Sequence, residues 1–273
     1  MSSSLEVILG RLVRMESALP PRFRNHTFKQ FMVRPGNSYA FEAAKLITSR
    51  YGKPELAIFH NCLYLHGKPG VGKTHLMAAI AQAIEQNHPE TRIKYCSVSE
   101  FVRDEFRAGL VGDDFNSMRR FECVDVLLLE SLEDLRDMIR TRQRLYSFFN
   151  RFLGAKKTLV VTSALPPARM EGPTDGLYSW FEWDLVAEVR PLDRQGRATV
   201  IRNWLEETEH QGLASISKAG IQFLAAQDVR DMRELSGLLA RVLLQSRLKK
   251  GTISVEQIRT LLTASSPSSL FSH

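Results

Sequence analysis

No stretch of this 273-residue chain approaches the run of about 18 uninterrupted apolar residues that a membrane-crossing helix needs. The N-terminus, Met1-Ser2-Ser3-Ser4, has no basic region followed by a hydrophobic segment, so no signal peptide is expected. Cysteine is scarce. The three present, Cys62, Cys96 and Cys123, are an odd count, and each lies in or beside an apolar strand-like run. That argues for reduced core thiols and against a disulfide framework. No Cys or His pair shows metal-ligand spacing; His60 and His66 read as strand-end residues. There is no internal repeat. The expectation is a cytoplasmic protein with no membrane partner.

What is there begins with an apolar fraction of 44%, enough for a well-filled core, in a length that suits one large domain or two modest ones. Lys and Arg number 37 against 30 Asp and Glu, a net charge of +7. That balance favours contact with nucleic acid only weakly, because the basic residues are spread along the chain and a solvated surface accounts for most of them.

One motif organises the rest. Gly67-Lys68-Pro69-Gly70-Val71-Gly72-Lys73-Thr74 is G-x-x-x-x-G-K-[ST], the phosphate-binding loop. An apolar run, Cys62-Leu63-Tyr64-Leu65-His66, reads as a buried strand before it, and a helical stretch over 75–86 follows. The glycines let the backbone curl so that its N–H groups point at phosphate oxygens, and the helix N-terminus adds positive partial charge. The loop, Gly67, Pro69, Gly70, Val71 and Gly72 included, would wrap the phosphates. Lys73 would reach the β- and γ-phosphates, and Thr74 would place its hydroxyl on Mg²⁺. A Gly-rich turn without function would not need this strand–loop–helix context.

The chain in order adds the frame. Residues 1–24 form a leader in which Leu5, Ile8, Leu9 and Leu12 fall at helical spacing and Pro20-Pro21 end the segment. It reads either as a helix packed on its own domain or as a docking helix. Thr27-Phe28-x-x-Phe31-x-Val33-x-Pro35-Gly36-Asn37 would make a tight, partly apolar loop, open to covering a purine base or to core packing, with a helix after it over 39–50. Strand-like runs follow at 93–98, 124–130, 158–163 and 184–189, separated by helical stretches at 99–108, 115–121 and 139–153. Continuous apolar strands alternating with helices predict an α/β domain, 25–192, with a five-stranded parallel sheet covered on both faces. From Asp193 helical spacing takes over, at 194–210, 217–227, 231–249 and 254–264, giving a small all-helical module over 193–264 and a Ser-rich tail over 265–273.

A phosphate loop needs a carboxylate on a neighbouring strand to hold Mg²⁺ through its waters. In Val124-Asp125-Val126-Leu127-Leu128-Leu129-Glu130-Ser131 only Glu130 ends the strand with charge. Ser131 cannot act as a base, and Asp125 reads as a strand-start residue.

These stretches together carry a resemblance. The chain is similar to the DnaA replication initiators of the AAA+ family and to their shorter Hda-like relatives. The similarity rests on 27–37, on Leu65-His-Gly-Lys-Pro-Gly-Val-Gly-Lys-Thr-His-Leu-Met77, on Val124–Leu129, on Ser163-Ala-Leu-Pro-Pro167, on Phe181-Glu-Trp183 and on Met232-Arg-Glu-Leu-Ser-Gly237. It covers about 25–250 and implies an AAA+ nucleotide-binding domain followed by a helical lid. It implies that Phe31, Val33 and Asn37 lie against adenine of ATP or ADP, and that Thr74 and Glu130 serve Mg²⁺. It further implies that Arg233 senses the γ-phosphate and that Arg140 and Phe106 touch single-stranded DNA. DnaA or another AAA+ subunit would be the protein partner.

The departures are as informative. The family has two adjacent aspartates where this chain has Glu130-Ser131, a polar sensor where it has Ala164, and an arginine finger in the segment that here reads Asp175-Gly-Leu-Tyr-Ser-Trp180. An arginine finger is worth ~10³–10⁵ in rate. Nucleotide binding with weak or absent hydrolysis is the expectation. The mechanism in which a short relative stimulates hydrolysis by DnaA through such an arginine is disfavoured. The chain stops after the lid, where the family continues into a duplex-DNA-binding domain, so sequence-specific duplex binding is not expected. Ser268-Ser269-Leu270-Phe271 resembles the end of the peptide that docks on the bacterial sliding clamp, with Pro267 where a Gln would stand; an incidental pair in a Ser-rich tail stays open. Two alternatives remain at this level: an active ATPase that loads a helicase or handles single-stranded DNA, and a non-catalytic structural adaptor.

Overall fold

The computed structural model describes residues 19–53, 61–103, 119–170, 176–182, 184–209, 216–229, 231–249 and 252–264. Phe106, Leu270 and Phe271 lie outside these, as does the leader up to residue 18. The chain divides into two compact units. The first holds the described residues up to Phe31 and those of Pro35–Arg190; the second holds Met32–Arg34 and the described residues from Pro191 on.

In the first unit a single turn, Pro21–Phe23, precedes α1 (Ser38–Arg50), β1 (Cys62–His66), α2 (Lys73–Asn87), β2 (Ile93–Ser97), α3 (Arg119–Glu122), β3 (Val126–Glu130), α4 (Ile139–Gly154), β4 (Thr158–Ser163), α5 (Leu177–Phe181) and β5 (Leu185–Glu188). The five strands form one sheet in the order β2-β3-β4-β1-β5, every pairing parallel. The central runs Leu63-Tyr64-Leu65, Val126-Leu127-Leu128-Leu129 and Leu159-Val160-Val161 are fully buried. Strands covered on both faces carry such unbroken apolar runs, and alternation sends successive residues to opposite layers.

One layer gathers Tyr64, Leu127, Leu129, Leu159 and Val161 against Leu145, Phe148, Phe149 and Phe152 of α4. The other gathers Leu63, Leu65, Val126, Leu128 and Val160 against Ala40, Ala44 and Ile47 of α1 and Leu76, Met77, Ile80 and Ile84 of α2. The α4 positions recur at i, i+3, i+4 and i+7, which puts their stripe on the sheet and leaves Arg140, Arg144 and Arg151 exposed. Truncating one of these buried phenylalanines to alanine costs about 3–5 kcal/mol.

Several edges differ from the sequence-based expectation, each for a local reason. The strand expected over 93–98 stops at Ser97, because Ser97 and Glu100 form a reciprocal cap. The Glu100 N–H donates to Ser97 Oγ (3.1 Å) and the Ser97 N–H to Glu100 Oε2 (2.8 Å), so residue 98 opens a helix. Regular pairing of β3 starts at Val126 and not 124; Asp125 instead turns its carboxylate onto the Arg92 N–H (3.0 Å) and guanidinium (2.9 Å). β5 covers 185–188 within the expected 184–189. The helix expected from 75 begins at Lys73, directly after Gly72.

The end of the segment read as a leader also packs inside the first unit. Phe23 is buried, its ring meets Tyr95 edge-on at 5.3 Å, and its carbonyl accepts from Gln82 Nε2 at 2.8 Å. The three cysteines are free thiols, Cys62 and Cys96 buried. No helix among the described residues is long and apolar enough to cross a membrane.

The second unit is helical: α6 (Arg194–Glu209), α7 (Lys218–Ala225), α8 (Met232–Lys249) and α9 (Val255–Ala264). Ile201, Leu205, Ile221, Leu224, Leu235, Leu239, Val242 and Ile258 form its core. Ser217 caps α7 by accepting the Gly220 N–H at 3.0 Å, which shortens the helix expected from 217. Arg34 belongs to this unit and chelates Asp193 through Nε (3.1 Å) and Nη2 (2.8 Å), while the Asp193 carboxylate caps the Gly196 N–H at 2.7 Å.

Candidate nucleotide site

The loop 67–74 leaves β1 at the edge of the sheet where all strands end. Its shape demands glycine at two points. Gly67 has φ +145°, and its N–H donates to the Ser163 carbonyl at 3.2 Å; a Cβ there would stand 2.2 Å from the Val189 carbonyl oxygen. Gly72 has φ +109°, and a Cβ there would touch the Phe31 ring at 3.0 Å. Gly70 also turns left-handed, Val71 anchors the loop by burying its side chain, and Pro69 is exposed. Gly72 offers no side chain to cap α2, so the first-turn N–H groups remain for an anion.

Lys73 Nζ donates to the carbonyls of Gly67 (2.6 Å) and Lys68 (2.9 Å), which folds its ammonium over the loop. Beside it the Thr74 hydroxyl donates to Glu130 Oε1, and the Tyr95 hydroxyl donates to Glu130 Oε2. The two residues assigned to Mg²⁺ from sequence are thus in contact across 56 positions of chain. Hydroxyl, carboxylate and phosphate oxygens are the hard donors Mg²⁺ takes, and a loop that has no room for a Cβ at Gly67 fits a closely wrapped phosphate.

The aromatic face of the 27–37 segment packs inward. Phe31 stacks on Phe41 (5.8 Å between centroids) and meets His75 edge-on at 5.3 Å, while Phe28 meets Phe41 edge-on at 5.6 Å. Core packing around the glycine loop, one of the two roles open at sequence level, is thus seen for these rings. Val33 is exposed and belongs to the second unit; Asn37 is buried at the start of α1. His75 turns its Nε2–H to the Thr27 carbonyl at 2.9 Å, and burial pushes its imidazole down to about 4. Burial also lowers His66, with Glu188 opposing and Lys73 adding to the effect. Burial and the adjacent Glu130 raise Tyr95, so its phenol remains a donor.

At the position of the family's second acid, Ser131 adopts a left-handed backbone (φ 66°, ψ 56°), and its N–H donates to Thr162 Oγ1 at 3.3 Å. Ala164 follows β4 directly, and residue 180 lies on α5. Arg140 is exposed on the first turn of α4. Arg233 is the second residue of α8, its N–H held by Asp231 Oδ1 at 2.9 Å.

Two contacts escaped sequence reasoning: the Tyr95 bond to Glu130 and the Thr162 bond to Ser131. The parallel register pairs Ser97 with Glu130 and Tyr95 with Leu128, so Tyr95 shares the face of Glu130 one diagonal step away. That parity, with the only phenol of the strand, was the available signal.

The family model for the bacterial DnaA ATPase domain matches residues 23–188. Domain III of the replication initiation protein DnaA from Thermotoga maritima aligns with a TM-score of 0.79 at 27% identity, over 90% of this chain and 98% of that one. DnaA from Aquifex aeolicus bound to AMPPCP aligns with a TM-score of 0.70 at 25% identity, over 82% of this chain and 66% of that one. A replication initiator DnaA bound to AMPPCP and single-stranded DNA gives 0.71 and 25%, over 84% and 66%. This chain therefore spans about two thirds of those longer proteins.

Proposed function

The chain belongs to the family of the bacterial DnaA ATPase domain, with an AAA+ fold, and from that premise we propose that it binds ATP or ADP with Mg²⁺ in the loop 67–74. It acts in, or regulates, bacterial replication initiation by assembling with DnaA or another AAA+ subunit. Residues 25–192 are the nucleotide-binding domain and 193–264 its helical lid, with Arg233 as the γ-phosphate sensor. The observation that carries the reading is the meeting of Thr74 and Glu130 beside a loop with no room for a side chain at Gly67 or Gly72. Related DnaA structures hold AMPPCP, which supports the same ligand class here.

Hydrolysis is weak or absent in this reading. Glu130 can hold a metal through water, but the next position offers only a serine, Ala164 has no polar group, and no arginine stands at 176–180. Calorimetric titration with ATP and ADP, followed by turnover assays with and without DnaA and single-stranded DNA, tests it. Lys73→Ala should weaken binding by roughly 10–100-fold, the worth of charge-assisted hydrogen bonds of about 1.5–3 kcal/mol. Turnover well above background that Lys73→Ala abolishes would overturn the weak-hydrolysis part and favour a working ATPase.

A second reading has its own observation. Arg136, Arg140 and Arg144 are exposed together with Met138 and Ile139, a basic and apolar surface suited to a single strand. Handling of single-stranded DNA through Arg140 follows from it.

A further inference from the structure

Glu130 is the one acid at the end of β3, and both of its oxygens are engaged: Oε1 by Thr74 and Oε2 by Tyr95. Resting on the nucleotide reading above, we propose that Tyr95 is a positioning residue for the metal side of the site, one that holds Glu130 so that Oε1 faces the Thr74 hydroxyl. A single carboxylate on a strand end can rotate about its last torsion and offer either oxygen. With no second acid beside it to share the metal's waters, its orientation has to come from elsewhere. Tyr95 supplies it, because a hydrogen bond to Oε2 fixes the carboxylate plane.

Tyr95 is itself held at two points. It sits on the strand beside β3, and its ring meets Phe23 edge-on at 5.3 Å. Phe23 is buried and its carbonyl accepts from Gln82 of α2, so the turn Pro21–Phe23 is braced on the helix that starts in the phosphate loop. Arg22 is exposed and lies over the Phe23 ring at 4.8 Å. A continuous series, Tyr95, Glu130, Thr74, thus runs from β2 to the metal side of the loop. Partners of metal ligands typically account for 10–100-fold in metal affinity.

The test compares the parent chain with Tyr95→Phe, which removes one hydroxyl and keeps the ring against Phe23. ADP affinity is measured calorimetrically in EDTA and across a Mg²⁺ series. The expected result is equal ADP affinity in EDTA, with the Mg²⁺ concentration for half-maximal tightening raised about tenfold in Tyr95→Phe. The urea midpoint should be unchanged in Tyr95→Phe. An unchanged Mg²⁺ midpoint in Tyr95→Phe, or a loss as large in EDTA, would overturn the positioning role. A parent that binds ADP without responding to Mg²⁺ would also overturn it and leave nucleotide binding standing. A parent that binds neither ADP nor ATP would overturn the reading underneath, a result that needs no variant to recognise.

Discussion

His75 follows the phosphate-loop threonine and is the most perturbed histidine of the nucleotide site. Its ring is half-buried against Phe31 and His26, and its Nε2–H is held by the Thr27 carbonyl. Burial lowers its pKa from 6.5 to about 4. Between those two values the unfolded chain holds a proton that the folded chain refuses. Stability therefore rises with pH across that window; the contribution is complete above 6.5 and is lost as pH falls towards 4.

At 1.36 kcal/mol for each tenfold in proton affinity, the loss at pH 5 is about 2 kcal/mol, and at pH 4 about 3 kcal/mol. His26 and His66, also lowered by burial, act in the same direction. His75→Gln keeps an N–H for the Thr27 carbonyl and removes the titration. Urea unfolding followed by far-UV circular dichroism at pH 7.5 and pH 5 should show the parent losing roughly 2 kcal/mol more than the variant. In parallel, the His75 ring resonance should hold its neutral shift down to pH 5. A His75 resonance that titrates near 6.5, or a variant as acid-sensitive as the parent, would refute the reasoning.

Gly67→Ala places a methyl 2.2 Å from the Val189 carbonyl at φ +145°, so we expect a loss of at least about 1–3 kcal/mol in urea unfolding and of nucleotide affinity in the same preparation; an unchanged midpoint would show that the loop relaxes freely. Arg140→Ala should weaken binding to an oligo-dT strand, lower the slope of log affinity against log salt by about 1, and leave ADP affinity unchanged, as read by fluorescence anisotropy across a salt series.

The sheet was legible because its strands are unbroken apolar runs, a pattern that needs two covered faces and little else. The glycine loop was legible because its spacing is dictated by the phosphate it wraps. What escaped depends on contacts distant in sequence. Tyr95 looks like one more strand residue until the register sets it beside Glu130, 35 positions later. The end of β2 was hidden for the opposite reason: Ser97 and Glu100 cap each other locally, and Val98 is as apolar as a strand residue should be.

Arg142 is the hardest case. On a helix rich in exposed arginines it is fully buried, donates to the Arg136 carbonyl and lies over the Tyr178 ring at 5.5 Å. Composition alone does not single it out. Nor does the run 27–37 betray that Met32–Arg34 keep company with the second unit, since that depends on Asp193 and Gln195, about 160 residues away.

The backbone at Ser131 has a consequence for which side chains the position after Glu130 favours. Its left-handed turn, φ 66° and ψ 56°, is a conformation that aspartate and asparagine enter several-fold more readily than other residues with a side chain. The bonds Ser131 makes there are main-chain ones: its N–H donates to Thr162 Oγ1 and its carbonyl accepts from the Asp134 N–H at 3.1 Å. The main chain at this turn thus has a shape that an aspartate beside Glu130 would adopt readily. The turn after β3 is a seat whose backbone favours an acidic or amide side chain over the serine that occupies it.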